Sequence, residues 1–353
     1  MTGVYRLRMY HLTTLVVNMK LTKHITKKGS LICLFFIGLL SCNTREQPQV
    51  HKLSGGALGT SYNITYLGDD KPDLLAQIDS LTSVFNYALS TYDPNSLITA
   101  YNTNRPIHKD SLGVGNDHFV TMIDLAREIT KKTNGAFDAS AGALFRVYDR
   151  AKKAGAPIDS TEVSPLLVRK GYPSLKYDSD GWLIKDSTSE YNFNAIAKGY
   201  FVDLISELFE ASGTQSYMVE VGGEVRTKGT NSKGGPWRIG INKPQIGASQ
   251  TDYFQVIELT GQSMATSGNY QNYYVVDGNV VGHTMDPRTG FSIVSDLKSA
   301  TVIHRSCAVA DAYATACMVL GLDESTKLIE SDSSLKAYFI FEENGDLKGV
   351  HVK

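Results

Sequence analysis

Apolar residues recur at two spacings along this chain, and the change from one spacing to the other divides it. Residues 51 to 67 alternate through Ser61-Tyr62-Asn63-Ile64-Thr65-Tyr66 after a turn at Gly55-Gly56, which predicts extended strand. A helical stripe follows Pro72, with Leu74, Ile78, Leu81, Phe85 and Ala88 three or four residues apart. The same period returns in Phe119, Met122, Ile123, Ala126 and Ile129, stopped at Asn134-Gly135. It appears again after Lys198-Gly199 in Phe201, Val202, Ile205, Leu208 and Phe209, with Gly213 as terminator.

From Ser216 the pattern turns to strands, at Tyr217 to Val221, Trp237 to Ile241, Phe254 to Leu259, Tyr273 to Val276 and Ser299 to His304. Helices over Ala308 to Leu320 and near Glu324 to Glu330 precede closing strands at Ala337 to Phe341 and Leu347 to Val352. Strands in runs, rather than in strict alternation with helices, predict an α+β fold with mostly antiparallel sheets and packed helices. No internal repeat or convincing linker interrupts residues 51 to 353, which read as one domain.

The N-terminal region differs in kind. Lys20, Lys23, Lys27 and Lys28 precede an apolar run from Leu31 to Leu40, long enough for a signal-peptide core and short for a bilayer span. It ends in Leu39-Leu40-Ser41-Cys42, which resembles a bacterial lipobox whose Cys42 becomes the lipidated first residue of the mature chain. Met19 opens a more typical signal than Met1. Residues 1 to 42 therefore read as a signal region and 43 to 50 as a polar tether, with the body held at a membrane by its lipid. The remaining Cys307 and Cys317 sit in an apolar context that favours buried free thiols over a bridge.

Composition adds one exclusion. With 353 residues and a formal net charge of −1 there is ample chain for a core but no excess of Lys and Arg, so nucleic acid is not the expected partner.

Four clusters carry candidate chemistry. Asp311 and Thr315, within Ala310-Asp311-Ala312-Tyr313-Ala314-Thr315-Ala316, share one helical face and could offer oxygen ligands to Mg²⁺. The same pair could equally be a capping Asp and a Thr bonded to its own turn. His283 precedes Asp286-Pro287-Arg288-Thr289-Gly290, a tight-turn sequence, and could serve as a base for a hydroxyl or simply as a structural histidine. Lys198, in Asn192-Phe193-Asn194-Ala195-Ile196-Ala197-Lys198-Gly199-Tyr200, could face a phosphate at a helix start, with a backbone carbonyl near Ala195 free for a metal; a surface Lys beside a Gly turn reads as well. Thr133-Asn134-Gly135-Ala136-Phe137-Asp138 brings an aromatic and a carboxylate out of a helix stop, although Phe137 could be core and Asp138 a turn cap.

In order and identity these segments resemble the ApbE-type FAD:protein FMN transferases from about residue 51 to residue 345. Leu58-Gly59-Thr60, Ser90-Thr91-Tyr92-Asp93-Pro94-Asn95-Ser96, Val221-Gly222-Gly223, Pro236-Trp237-Arg238-Ile239-Gly240-Ile241 and Ala265-Thr266-Ser267-Gly268-Asn269-Tyr270 extend the match beyond the four clusters. The resemblance implies an ApbE-like, T-fold-related architecture and Mg²⁺-dependent transfer of the FMN half of FAD to a Thr or Ser hydroxyl of an acceptor protein, releasing AMP. Asp311, Thr315 and the Ala195 carbonyl would hold Mg²⁺. Leu58, Tyr92, Ala136, Phe137, Asp138, Asn192, Lys198 and Met285 would line the FAD site, with His283 as base. The acceptor would be a membrane redox-complex subunit with a flavinylation motif, met on the periplasmic side. An FAD pyrophosphatase of the same fold and a non-catalytic FAD-binding lipoprotein are the alternatives. Family members commonly carry Asp where this chain has Asn192, which keeps the acceptor oxygen but loses the charge; the Ser96-Leu97-Ile98 stretch also lacks an acidic residue often found there.

Overall fold

The two spacings become two kinds of layer. In the computed structural model the described residues are 48–353 apart from 112, 169–170, 173–174, 185–188, 246, 250, 269–272, 277–278, 283 and 294. Cys42 and His283 thus lie outside them. The alternating segment at the start forms a hairpin, β1 (Val50–Ala57) and β2 (Thr60–Leu67), in register from Val50 against Leu67 to Ala57 against Thr60. Its two-residue turn is Leu58-Gly59, both at positive φ, 51° and 75°, the geometry that lets a tight turn follow the strand twist.

Each stripe of helical period forms a helix with its apolar side buried. Helix α1 (Asp73–Leu89) buries Leu74, Ile78, Phe85 and Ala88, and α2 (Leu97–Asn102) starts at Ser96, whose hydroxyl accepts from the Thr99 amide. In α3 (Gly113–Lys132), Phe119, Met122, Ile123, Ala126 and Ile129 are buried, and Asn134 and Gly135 at positive φ turn the chain away afterwards. Two further helices, α4 (Gly142–Ala154) and α5 (Ser160–Leu167), pack together through Leu144, Val147, Tyr148 and Val163. A small ribbon, β3 (Lys176–Tyr177) with β4 (Leu183–Ile184), leads to α6 (Ala197–Ala211).

The strand-rich half supplies β5 (Ser216–Val221), β6 (Glu224–Lys228), β7 (Trp237–Asn242), β8 (Tyr253–Leu259), β9 (Ser263–Gly268), β10 (Tyr273–Val276), β11 (Asn279–Gly282) and β12 (Leu297–His304). Helix α7 (Cys307–Glu330) and strands β13 (Lys336–Glu343) and β14 (Asp346–Val352) close the chain. Gly321, at φ 76°, breaks α7 where the sequence pattern predicts two helices.

Eight strands form one sheet in the order β1-β2-β5-β6-β9-β12-β13-β14, and every pairing within it is antiparallel. Period-two alternation sorts its side chains between two faces. Ala265, Ala300, Val302, Ala337 and Phe339 face the main core with α6 and α7, whereas Met264, Ile303, Tyr338 and Ile340 face a second cluster under the β7–β8 hairpin. The architecture is α+β with antiparallel sheets and packed helices, as the run of strands predicts. Among the described residues no helix is long and apolar enough to cross a membrane.

Candidate functional site

The sequence clusters converge on one cavity of about 600 Å³, a volume within the range of small-molecule sites, roughly 300–1,000 Å³. Its walls include the α3–α4 loop (Ala136, Phe137, Asp138), the approach to α6 (Asn192, Ala195, Lys198), the 284–287 segment with Met285, and α7 (Asp311, Thr315), together with residues of β7 and β9. Leu58 and Tyr92 are not among the lining residues; Leu58 sits in the β1–β2 turn and Tyr92 is 86% exposed between α1 and α2.

Local chemistry explains each placement. The Asn192 side chain accepts the Asn194 N–H at 2.9 Å, while the Asn192 N–H donates to the Ala139 carbonyl at 2.8 Å, tying together two loops that both line the cavity. Asp138 accepts from the Ser140 amide (2.9 Å) and hydroxyl (2.7 Å), so its carboxylate is held at the wall. The 286–290 segment is the tight turn its sequence predicts, with the Arg288 N–H on Asp286 Oδ1 (2.8 Å), the Gly290 N–H on the Asp286 carbonyl (2.7 Å) and Gly290 at φ 79°. Buried Met285 is thereby pinned beside the cavity.

Charge concentrates at the cavity floor. Asp311, 4% exposed, accepts the Gly199 amide at 3.0 Å, and Thr315 one turn later meets the Ser267 hydroxyl at 3.3 Å. Lys198 reaches Glu224 of β6 at 2.6 Å. Glu224 is 3% exposed, and its second oxygen, Oε2, is buried without a hydrogen-bond partner. Burial works against the Lys198 ammonium, but the carboxylates of Asp311 and Glu224 outweigh it and hold its pKa above the ordinary value. One cation cannot balance two buried carboxylates. Desolvation, and for Glu224 the nearby Asp311, therefore raises both acids, with Lys198 opposing, and the pair retains a proton above the usual carboxylate range.

The arrangement is short of positive charge. A Mg²⁺ ion, which takes one or two carboxylates together with hydroxyl, carbonyl and substrate oxygens, fits the set of Asp311, Thr315 and Ala195. The unpartnered Glu224 oxygen points to the same deficit. Glu224 itself escapes sequence reasoning. The signal present was Val221-Gly222-Gly223: Gly222 has φ 59°, and a Cβ there would lie 2.9 Å from Thr60 and 3.3 Å from Lys198, so the turn that delivers Glu224 runs against the lysine stem. Tyr148, Asp149 and Lys152 of α4 are further lining residues absent from the sequence reading. Cys307 and Cys317 are both free and buried.

The model of the ApbE family matches residues 58–339. The FAD:protein FMN transferase of Vibrio cholerae serotype O1 is 32% identical over 86% of this chain and 90% of its own, and that of Haemophilus influenzae is 29% identical over 90% and 93%. Among solved structures, the flavin transferase ApbE from Vibrio cholerae superposes with a TM-score of 0.72 at 30% identity, covering 87% of this chain and 98% of that one. The apo Pseudomonas stutzeri flavinyl transferase ApbE also gives 0.72, at 29% identity over 87% and 96%.

Proposed function

The chain belongs to the ApbE family, and from that premise we propose how its cavity acts as an FAD:protein FMN transferase. The observation that carries the reading is the meeting of Asp311, Thr315, Lys198 and Asp138 in one cavity of small-molecule size. FAD is the substrate. Phe137, Met285 and the small residue Ala136 give its rings an apolar wall, and Asn192 and Asp138 offer acceptor oxygens to its hydroxyls.

In the transfer, the hydroxyl oxygen of a Ser or Thr on the acceptor protein attacks the phosphorus on the FMN side of the diphosphate. The bond to the AMP phosphate breaks, AMP leaves, and FMN remains joined to the acceptor by a phosphoester. Lys198, kept protonated by its two carboxylate neighbours, sets a positive charge near the phosphates. His283 accepts the hydroxyl proton. Asp311, Thr315 and the Ala195 carbonyl would hold Mg²⁺, which when bound would supply positive charge against that developing on the leaving phosphate. The signal run and Cys42 support a lipid-anchored protein, placed here on the periplasmic face of the inner membrane, and the family resemblance suggests a membrane redox-complex subunit as acceptor.

Incubating the protein with FAD, Mg²⁺ and an acceptor carrying a Ser/Thr flavinylation motif should leave flavin fluorescence on the acceptor band of a denaturing gel. Equal labelling by wild type and Asp311→Ala would end the metal assignment. AMP released without acceptor at the full rate would instead make the chain a pyrophosphatase.

A further inference from the structure

Helices α6 and α7 are clamped to each other twice, in opposite senses. Asp311, one turn into α7, accepts the Gly199 amide at the start of α6. Asp203, one turn beyond Gly199 on α6, accepts at the start of α7 from the amides of Cys307 (2.9 Å) and Ala308 (3.1 Å) and from the Ser306 hydroxyl (2.7 Å). Each carboxylate thus sits on the positive end of the other helix, where exposed amides and the macrodipole favour it.

Strand β6 fixes the second clamp. Arg226 Nη1 meets Asp203 Oδ1 at 2.8 Å while Nη2 meets Glu210 at 3.1 Å. Two positions earlier on the same strand face, Glu224 holds Lys198. Nothing cushions the junction between the helices: a Cβ at Gly199 would stand 2.4 Å from the Cys307 carbonyl oxygen and 2.8 Å from Asp311 Cβ. A shift in the first turn of α7 must pass directly to the Asp311 carboxylate.

We propose that Asp203 and Arg226 are positioning residues of the transfer reaction, setting where the Asp311 carboxylate stands by locking the first turn of α7 against α6. The proposal rests on Asp311 being the cation-binding carboxylate. An ion pair with a buried carboxylate is seldom more stabilising than apolar packing of the same volume, so an Arg–Asp pair here is better accounted for by the geometry it specifies than by the stability it adds.

The test uses the full chain with Asp203→Asn and Arg226→Met, and Phe209→Leu as control. Phe209 lies further along α6, buried against Tyr66 and Tyr217. Amide exchange at Gly199, followed by NMR without metal or FAD, should quicken roughly tenfold in the first two variants as local opening becomes easier. The Mg²⁺ concentration for half-maximal FMN transfer should rise by a similar factor. Phe209→Leu should lower the melting temperature and leave both readings at wild type. Unchanged exchange and Mg²⁺ demand in folded Asp203→Asn or Arg226→Met, or equal changes in Phe209→Leu, overturn the proposal. If Asp203→Asn fails to fold, Arg226→Met decides alone, since its side chain is 21% exposed and outside the core. Should Asp311→Ala label the acceptor with unaltered Mg²⁺ demand, the metal reading has failed, and Gly199 exchange still reports on the clamp.

Discussion

The two faces of the eight-stranded sheet are covered by different material. Beneath the β7–β8 hairpin the contacts are apolar: Ile241, Ile257, Leu259, Met264, Ile303, Tyr338 and Ile340 form one cluster. Beneath α6 and α7 the core is apolar as well, but it also encloses the carboxylates of Asp203, Glu224 and Asp311, answered by Lys198 and Arg226. Burying a charge costs several kcal/mol unless partners repay it, and the hairpin side demonstrates that this sheet can be covered without charges. Their confinement to one face teaches that the helix side supplies the charge of the cavity, while the hairpin side contributes apolar packing and, through Ile241 and Met264, part of the cavity's wall.

The largest effect should come from the charged face. Asp311→Ala should reduce FMN transfer on the order of a thousandfold, the scale of several kcal/mol of lost charge stabilisation. Its melting temperature should move by only a few degrees, because a carboxylate that burial disfavours is removed along with its bond to Gly199. Initial rates from gel fluorescence, paired with thermal melts, measure both. On the apolar face the outcome should invert. Ile340→Ala, at a fully buried position, should cost about 2–5 kcal/mol of stability in denaturant titration, with the transfer rate of the folded protein kept near wild type. Matching losses of rate in the two variants would erase the distinction between the faces.

The two faces also differed in how far the sequence disclosed them. Alternation in β2 made a strand legible, and Leu74, Ile78 and Phe85 made α1 legible, because one-sided burial writes a period into the chain. Asp311 and Thr315 were visible together because they share a helical face. The partners of that pair were not. Glu224 meets Lys198 across 26 residues and Asp203 meets Cys307 across 104, separations set by how β6 passes α6 and α7 and not by any local spacing. Helix α4 carries a proper stripe in Leu144, Val147, Tyr148 and Ala151 with charge on its other positions, which marks an amphipathic helix, but the part its polar residues Asp149 and Lys152 play in the cavity is not written in that period. Strands β6 and β9 were hidden, being short and largely polar.

A smaller change probes the seam between the helices. Gly199→Ala places a methyl against the Cys307 carbonyl, so α6 and α7 must part slightly. Overpacking of this kind costs about 1–3 kcal/mol. Unlike Ile340→Ala, it should lower FMN transfer at temperatures where the protein remains folded, since the Asp311 acceptor is displaced from its donor. Wild-type transfer at matched folded fraction would show that the seam tolerates movement.

The smallest effect is the dependence of stability on pH. Glu224, desolvated and beside Asp311, has its pKa pushed up to about 8, and Asp311 is raised as well. A group raised on folding favours the folded state most fully below its unfolded pKa, and that contribution fades as pH climbs through the folded value. Metal-free protein should therefore melt at a lower temperature near pH 8 than near pH 5.5 as these acids lose their proton beside a single Lys198. The neighbouring Cys307 thiol, raised well above its ordinary value by burial, stays neutral across that window. Glu224→Gln keeps an oxygen for Lys198 and removes the titration, so its melting curve should be flatter over the same range. A wild-type slope in that variant would place the pH sensitivity elsewhere, and the deficit of positive charge on the helix face would need another explanation.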